Sequence, residues 1–244
     1  ADIDGEAFGD FSGWSCALSE NGNRLCVGER FNNEGTATSG SGSNFGQVRC
    51  YEWDGTNWVA LGDETHGQVT LDHYGSAISL NAAGNTYISS AVNGTVGATR
   101  NGYVRVHQLN AGAWGQVGSI LEGLADGDDF GRDVSINSSG TIIAIGAPGN
   151  DTAGTDAGQT RIYELVSGNW QLLGNPINGL NPDDACGFSV SLSNDGLSVA
   201  IGYQGESTGS GRGVVRIFDY NGTDWVLKGT NITTTADTGA FGTK

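Results

Sequence analysis

Two ionisable residue types recur at fixed intervals along the chain. Asp10, Asp72, Asp128 and Asp184 each stand two residues ahead of an anchor (Ser12, Tyr74, Phe130 or Cys186), and Arg49, Arg105, Arg161 and Arg216 share one place in a short apolar run. Carboxylates at such spacing could ring a central channel and hold cations. Residues present in every unit usually serve the unit, so the expected role is structural: each Asp caps a turn or pairs with an Arg between strands or units. The two readings part on one substitution, since Asp→Asn costs metal affinity in the first and stability in the second. Trp58, Trp114, Trp170 and Trp225 recur in the same way. Such a ring hides about 150–250 Å², so burial is expected, with stacking on sugars between units as the alternative. Outside this ladder, Trp53 replaces Leu109, Leu165 and Tyr220 and reads as core. Trp14 replaces Ser76, Arg132 and Phe188 and is the candidate for an exposed contact.

Groups for catalysis are sparse. Of three histidines, His107 takes an aromatic place held elsewhere by Tyr51, Tyr163 and Phe218, and His66 and His73 lack companions at metal-site spacing. The adjacent carboxylates Asp128-Asp129 and Asp183-Asp184 could do acid–base work, but neighbouring loop carboxylates are ordinarily just solvated. A non-catalytic chain is expected, with a secreted glycoside hydrolase-like enzyme as the least favoured reading. Acidic residues outnumber basic ones 27 to 11, for a formal net charge of −16. That excludes nucleic acid as the default partner, because phosphate contacts need clustered Lys and Arg. No apolar run approaches the roughly 20 residues of a membrane helix.

The recurrence has a period. Anchors Ser12, Tyr74, Phe130, Cys186 and Phe241 are 62, 56, 56 and 55 residues apart. Each unit reads as four short strands: an alternating strand such as Val190-Ser191-Leu192, a tight turn ending in Gly, a nearly continuous apolar strand such as Ile142-Ile143-Ala144-Ile145, then the Arg strand and the Trp strand. Four strands cannot bury both sheet faces alone, so the units must stack. An all-β fold, a β-propeller of four-stranded antiparallel blades, is expected. The blades fall at about 5–66, 67–122, 123–178 and 179–233, with 234–244 opening a further one. Segments 3–13 and 232–242 are two copies of one inter-blade segment, so four blades of a larger ring, about seven-bladed, or of a tandem array are expected.

The turns Glu20-Asn21-Gly22 and its equivalents suggest a three-residue hairpin loop. That register sets Cys16 opposite Cys26 in blade 1 and predicts a disulfide between them, with Cys50 and Cys186 left over; two buried thiols are the alternative. Glycosylation sequons occur at Asn93, Asn137, Asn150, Asn221 and Asn231, of which Asn93, Asn137 and Asn150 read as exposed turn or loop positions.

The Phe130-Gly131 pair, the Val134-Ser135-Ile136 strand and Ala144-Ile145-Gly146-Ala147-Pro148 resemble FG-GAP repeats, the units of the integrin-α-like propeller. Ile3-Asp4-Gly5-Glu6-Ala7 and Gly213-Val214-Val215-Arg216-Ile217 fit the same pattern, and the resemblance runs along the whole chain. It implies a calcium loop between the first two strands. Here that turn is about five residues too short, and calcium wants six to eight oxygens, so no metal and no cofactor is expected; Asn150, Asp151 and Asp156 are the nearest substitute for a calcium site. The resemblance also implies an extracellular or cell-surface adhesion or assembly module, with other extracellular proteins or copies of itself as partners and no membrane span. A glycan-binding propeller is the alternative. The contact residues expected are Trp14 and the long blade 1 insertion, through Phe31, Asn32, Asn33 and Phe45.

Overall fold

The computed structural model describes residues 2–33, 43–95, 99–205 and 213–233. Every regular element among them is a β-strand. Four antiparallel sheets follow one another along the chain. The first contains β1 (Ser12–Leu18), β2 (Arg24–Glu29), β3 (Gln47–Trp53), β4 (Trp58–Ala60) and β5 (Thr65–His66). The second contains β6 (Tyr74–Leu80), β7 (Thr86–Ala91), β8 (Tyr103–Asn110), β9 (Ala113–Gln116) and β10 (Leu121–Glu122). The third contains β11 (Val134–Ile136), β12 (Ile142–Ala147), β13 (Gln159–Val166), β14 (Asn169–Leu172) and β15 (Ile177–Asn178). The fourth contains β16 (Cys186–Leu192), β17 (Ser198–Tyr203), β18 (Val214–Tyr220), β19 (Trp225–Leu227) and β20 (Ile232–Thr233). These are propeller blades, set in an arc that does not close into a ring. The expected fifth anchor, Phe241, lies outside the described residues.

Each blade differs from the four-strand expectation in one respect: its outer strand is split. β4 and β5 both pair with β3, and the other blades repeat this. The break falls at a glycine in the left-handed region, Gly62 at φ 71° in blade 1. There the next blade presses in. A Cβ on Gly62 would lie 2.7 Å from the Trp114 ring, and the Trp114 indole N–H donates to Leu61 O at 2.7 Å. Trp170 donates likewise to Val117 O (3.0 Å) and Trp225 to Leu173 O (2.7 Å). The repeated Trp is therefore a staple to the preceding blade. The repeated Arg does the same job nearer the axis: Arg49 donates to Asp4 O, Arg105 to His66 O and Arg161 to Glu122 O. The repeated Asp caps the inter-blade turn. Asp128 Oδ2 accepts the N–H groups of Leu124 and Ala125, and Asp184 Oδ2 those of Leu180 and Asn181.

Three apolar cores lie between successive sheets. Ile88, Val104, Phe130, Ile143, Ile145 and Trp170 belong to the core joining the second and third. All six residues of β12 are buried because blades cover both faces of their sheet, whereas Ser198 and Ala200 of β17, in the last described sheet, are only half-buried. This double coverage is why the second strands are continuously apolar.

The first hairpin corrects the expected disulfide. Ser19 N–H donates to Arg24 O (2.8 Å), and Ser19 Oγ accepts Arg24 N–H (2.9 Å), so the loop holds one residue more than expected. Asn81, Asn137 and Ser193 cap the equivalent turns in the same way. The extra residue sets Cys16 opposite Val27 and Ala17 opposite Cys26. A one-residue change of register turns a side chain to the other face of the sheet. Cys26 instead meets Cys50 across β2 and β3, at a Cα separation of 4.1 Å, and the two form the disulfide. Cys16 is an exposed free thiol and Cys186 a buried one. Non-reducing peptide mapping is expected to find the Cys26–Cys50 link and two free thiols; a bridge containing Cys16 would contradict this register. The linked residues are 24 apart, so removing the bridge is expected to cost about 3 kcal/mol in chemical denaturation.

Candidate functional site

The blades meet where their first strands begin. Phe11, His73, Asp129 and Ala185, one residue before each anchor, share a left-handed φ of 54°, 58°, 54° and 52°. The pairing of β1, β6 and β16 with their neighbours is irregular just beyond this point. The kink swings the second residue past each anchor toward the axis. Trp14, Ser76, Arg132 and Phe188, equivalent in the repeat, thus line one open cavity of about 240 Å³ with Arg30, Val92 and Asp133. Equivalent residues of four blades can share a cavity only at the common axis. At the opposite end, Leu18, Leu80 and Ile136 line a second hollow beside the hairpin turns. There the turns are hydrogen-bonded in series, Glu20 N–H to Ala82 O (3.1 Å), Ala82 N–H to Ser138 O (3.3 Å) and Ser138 N–H to Asn194 O (3.0 Å).

The axial mouth concentrates positive charge and aromatic rings. The Arg30 guanidinium carbon sits 4.7 Å from the Trp14 ring centre and 5.2 Å from that of Phe31. Arg132 lies 4.5 Å over Phe188. Phe11, Trp14 and Phe31 form a triangle with ring centres 5.2, 6.0 and 6.5 Å apart. Among the described residues neither Arg30 nor Arg132 has a carboxylate within ion-pair distance, and Arg30 Nε is buried with no hydrogen-bond partner. Burial, then the charge of Arg132, lowers the Arg30 pKa. Nearby, burial raises the Asp129 carboxyl against the pull of Arg132. The His73 imidazole is lowered by burial, then by Arg30 and Arg100. Its Nδ1 lies 2.8 Å from Asn93 Nδ2, and its ring centre is 5.0 Å from that of Phe31.

Trp14 and Phe31, singled out from the sequence, come together at this mouth. Phe45 and Asn32 do not serve as contacts: they are 6 % and 1 % exposed, because the end of the blade 1 insertion packs between the first two sheets as the lead-in to β3. Asn33 Oδ1 accepts Asn44 N–H at 3.1 Å, and residues 34–42 lie outside the described ones. Arg30, Arg132, Asp133 and Phe188 were not singled out. Their signal was the repeat itself: Trp14, Ser76, Arg132 and Phe188 differ in size and charge within otherwise regular units, as befits a position released from packing.

Other expected sites change meaning. Asn137 and Asn150 are 3 % and 2 % exposed, so neither sequon is accessible in the folded chain. Asn137 Oδ1 accepts two turn N–H groups, and Asn150 donates to Asp128 Oδ2 at 3.1 Å. Asn93 faces His73, Asn221 Oδ1 caps its own exposed turn, and Asn231 Oδ1 accepts from Arg216 Nε. In the candidate calcium loop, Asp151 Oδ1 accepts Asp156 N–H at 2.8 Å and Asn150 Oδ1 accepts Thr152 N–H. These oxygens serve the loop's own backbone. Among the described residues no three His, Cys, Asp or Glu side chains converge as metal ligands.

Residues 114–163 match the family model of the FG-GAP repeat. No curated protein matches the chain. Among solved structures, the chain is similar to PpgL, the periplasmic gluconolactonase of Pseudomonas aeruginosa (14 % identity, TM-score 0.55, 91 % of this chain and 57 % of that one). It is also similar to a Bacteroides uniformis protein assigned as a 6-phosphogluconolactonase (9 %, TM-score 0.57, 90 % and 54 %). A third is Sqt1 of Chaetomium thermophilum (16 %, TM-score 0.51, 87 % and 45 %), also solved with the N-terminus of ribosomal protein L10. The chain spans about half the length of these structures, and at such identities the likeness shows the fold alone. The expected adhesion or assembly role is corrected by them: the similar propellers are two lactonases by name and Sqt1, and nothing supports adhesion. A disulfide fits a secreted protein, and no helix among the described residues is long and apolar enough to cross a membrane.

Proposed function

We propose that the axial mouth is a small-molecule site that takes an organic anion. The observation that carries this reading is the pair of guanidiniums, Arg30 and Arg132, brought to one cavity with no carboxylate within ion-pair distance of either among the described residues, Asp129 acting on both only at longer range, in a chain whose net charge is −16. Holding two like charges together is unfavourable unless something else is gained, and an anion gains two charge-assisted donors at once. The cavity of about 240 Å³ is below the roughly 300–1,000 Å³ of drug-sized sites, which suits a small ligand. The Cys26–Cys50 bridge supports a compartment outside the reducing cytoplasm.

The test is titration calorimetry at low ionic strength with simple carboxylates and their neutral amides. Carboxylates are expected to bind with one-to-one stoichiometry, and Arg30→Gln or Arg132→Gln to weaken them about tenfold each, as removing a charged hydrogen bond does. Amides binding as tightly as acids would end the reading. Hydrolysis at the same site is a second reading, favoured by Asp129 and His73, whose shifts bring a raised carboxyl and a lowered imidazole beside the arginines. Two neighbours being lactonases by name makes glucono-δ-lactone the substrate to offer. In a pH-stat, the expected outcome is turnover above the buffer rate that falls at least about tenfold in Asp129→Asn; a rate equal to buffer discards catalysis and leaves binding.

A further inference from the structure

We infer that the anion recognised at the axial mouth carries an aromatic ring, so that the site reads an aryl carboxylate rather than a polyhydroxy acid. The inference rests on the anion reading above and concerns what the rest of the ligand is. A polyol needs hydrogen-bonding partners for each hydroxyl. Among the described residues lining the cavity, uncharged or acidic polar groups are few: besides the Trp14 indole there are Ser76, whose Oγ gives its one hydrogen to His73 O at 2.6 Å, and Asp133, whose Oδ2 accepts Val190 N–H at 2.8 Å.

What the mouth offers instead is ring surface. Phe11 is 60 % and Trp14 47 % exposed, and with Phe31 they make one contiguous patch on blade 1. Phe188 stands on the far side of the cavity from the fourth sheet, already covered on one face by Arg132. The equivalent places elsewhere hold no such cluster: opposite Phe11 stand His73, Asp129 and Ala185, and opposite Phe31 stands Asn93. Exposing two large rings, Phe11 and Trp14, beside the half-buried Phe31 is unfavourable in water. Arg30 lies against two of them, so a carboxylate paired with Arg30 brings its own substituent within reach of the same rings. A flat ring there gains offset or edge contacts on Trp14 and Phe11 while its acid group meets the guanidinium. An aromatic acid therefore matches both halves of the site, and acetate or gluconate matches only one.

The experiment compares phenylacetate, acetate and gluconate by titration calorimetry on the folded chain, with circular dichroism to confirm folding of each variant. Phenylacetate is expected to bind at least about tenfold more tightly than either other acid. Phe11→Ser and Trp14→Leu are each expected to remove most of that preference, while Leu172→Ser, exposed on an outer strand, leaves it intact. Gluconate binding as tightly as phenylacetate, with both lost in Arg30→Gln, would overturn the aromatic inference and leave the anion reading standing. Acids whose binding ignores Arg30→Gln, or that do not bind the wild-type chain, would overturn the anion reading itself. Should Trp14→Leu fail to fold, the ligand series on the wild-type chain decides the matter alone.

Discussion

Replacing His107 with Phe is expected to abolish much of this protein's acid sensitivity. His107 is 4 % exposed, stacked on Tyr87 at 5.1 Å between ring centres, with Nδ1 3.4 Å from the Tyr74 hydroxyl. Burial, then the positive charge of Arg105, pushes its pKa down to about 3. The unfolded chain holds this imidazole near its ordinary value of about 6.5. Above that pH both states are neutral and the histidine costs nothing. As pH falls below it, the unfolded state takes up a proton that the folded state refuses until about 3, so stability drains away across that window. Linkage sets the loss at about 3 kcal/mol by pH 4. Phe occupies the same place in the fourth blade, as Phe218, so the substitution suits the fold. It leaves the Tyr74 hydroxyl short of a partner, at a cost of about 1 kcal/mol at pH 7. Urea denaturation at pH 7 and pH 4 on both proteins measures this. The wild type should lose about 3 kcal/mol more than His107→Phe between the two, since their carboxylates are common to both. Equal losses would falsify the assignment.

Trp170→Ala is expected to cost about 3–5 kcal/mol, the usual range for emptying a large aromatic site. Trp170 is 8 % exposed, packs in the core joining the second and third sheets, and holds Val117 O through its indole nitrogen at 3.0 Å. Trp170→Phe keeps most of the ring and loses the donor, leaving Val117 O unpaired; about 1–2 kcal/mol is expected. Trp58 in the first blade supplies the contrast. Among the described residues its indole nitrogen has no acceptor on a preceding blade, so Trp58→Phe should cost under about 0.5 kcal/mol. Thermal or urea unfolding of the three variants separates a staple between blades from mere burial. A Trp58→Phe penalty matching that of Trp170→Phe would show that the indole N–H contributes nothing across the blade interface.

The blades were legible because their signals are local or periodic. Asp128 and Asp184 cap turns three and four residues away, and the alternation in Val190-Ser191-Leu192 follows from a pleat of period two. The disulfide was not, because it hung on a single residue of loop length: the Ser19 cap adds one residue to the first turn and hands Cys26 to Cys50 instead of Cys16. Burial of Asn137 and Asn150 was hidden too. Their side chains spend their hydrogen bonds on nearby backbone and on Asp128, and a sequon carries no mark of that.

Composition and the fifty-six-residue recurrence were enough to settle an all-β propeller built from equivalent small antiparallel sheets, since sheets of that size survive only between neighbours. The axial mouth was settled by folding alone. Trp14, Arg30, Arg132 and Phe188 come from three blades far apart in the chain, and no local rule ties an Arg in one unit to a Trp in another. The left-handed kink before each first strand, repeated around a common axis, brings Trp14, Arg132 and Phe188 to one space, and the end of β2 adds Arg30 to it.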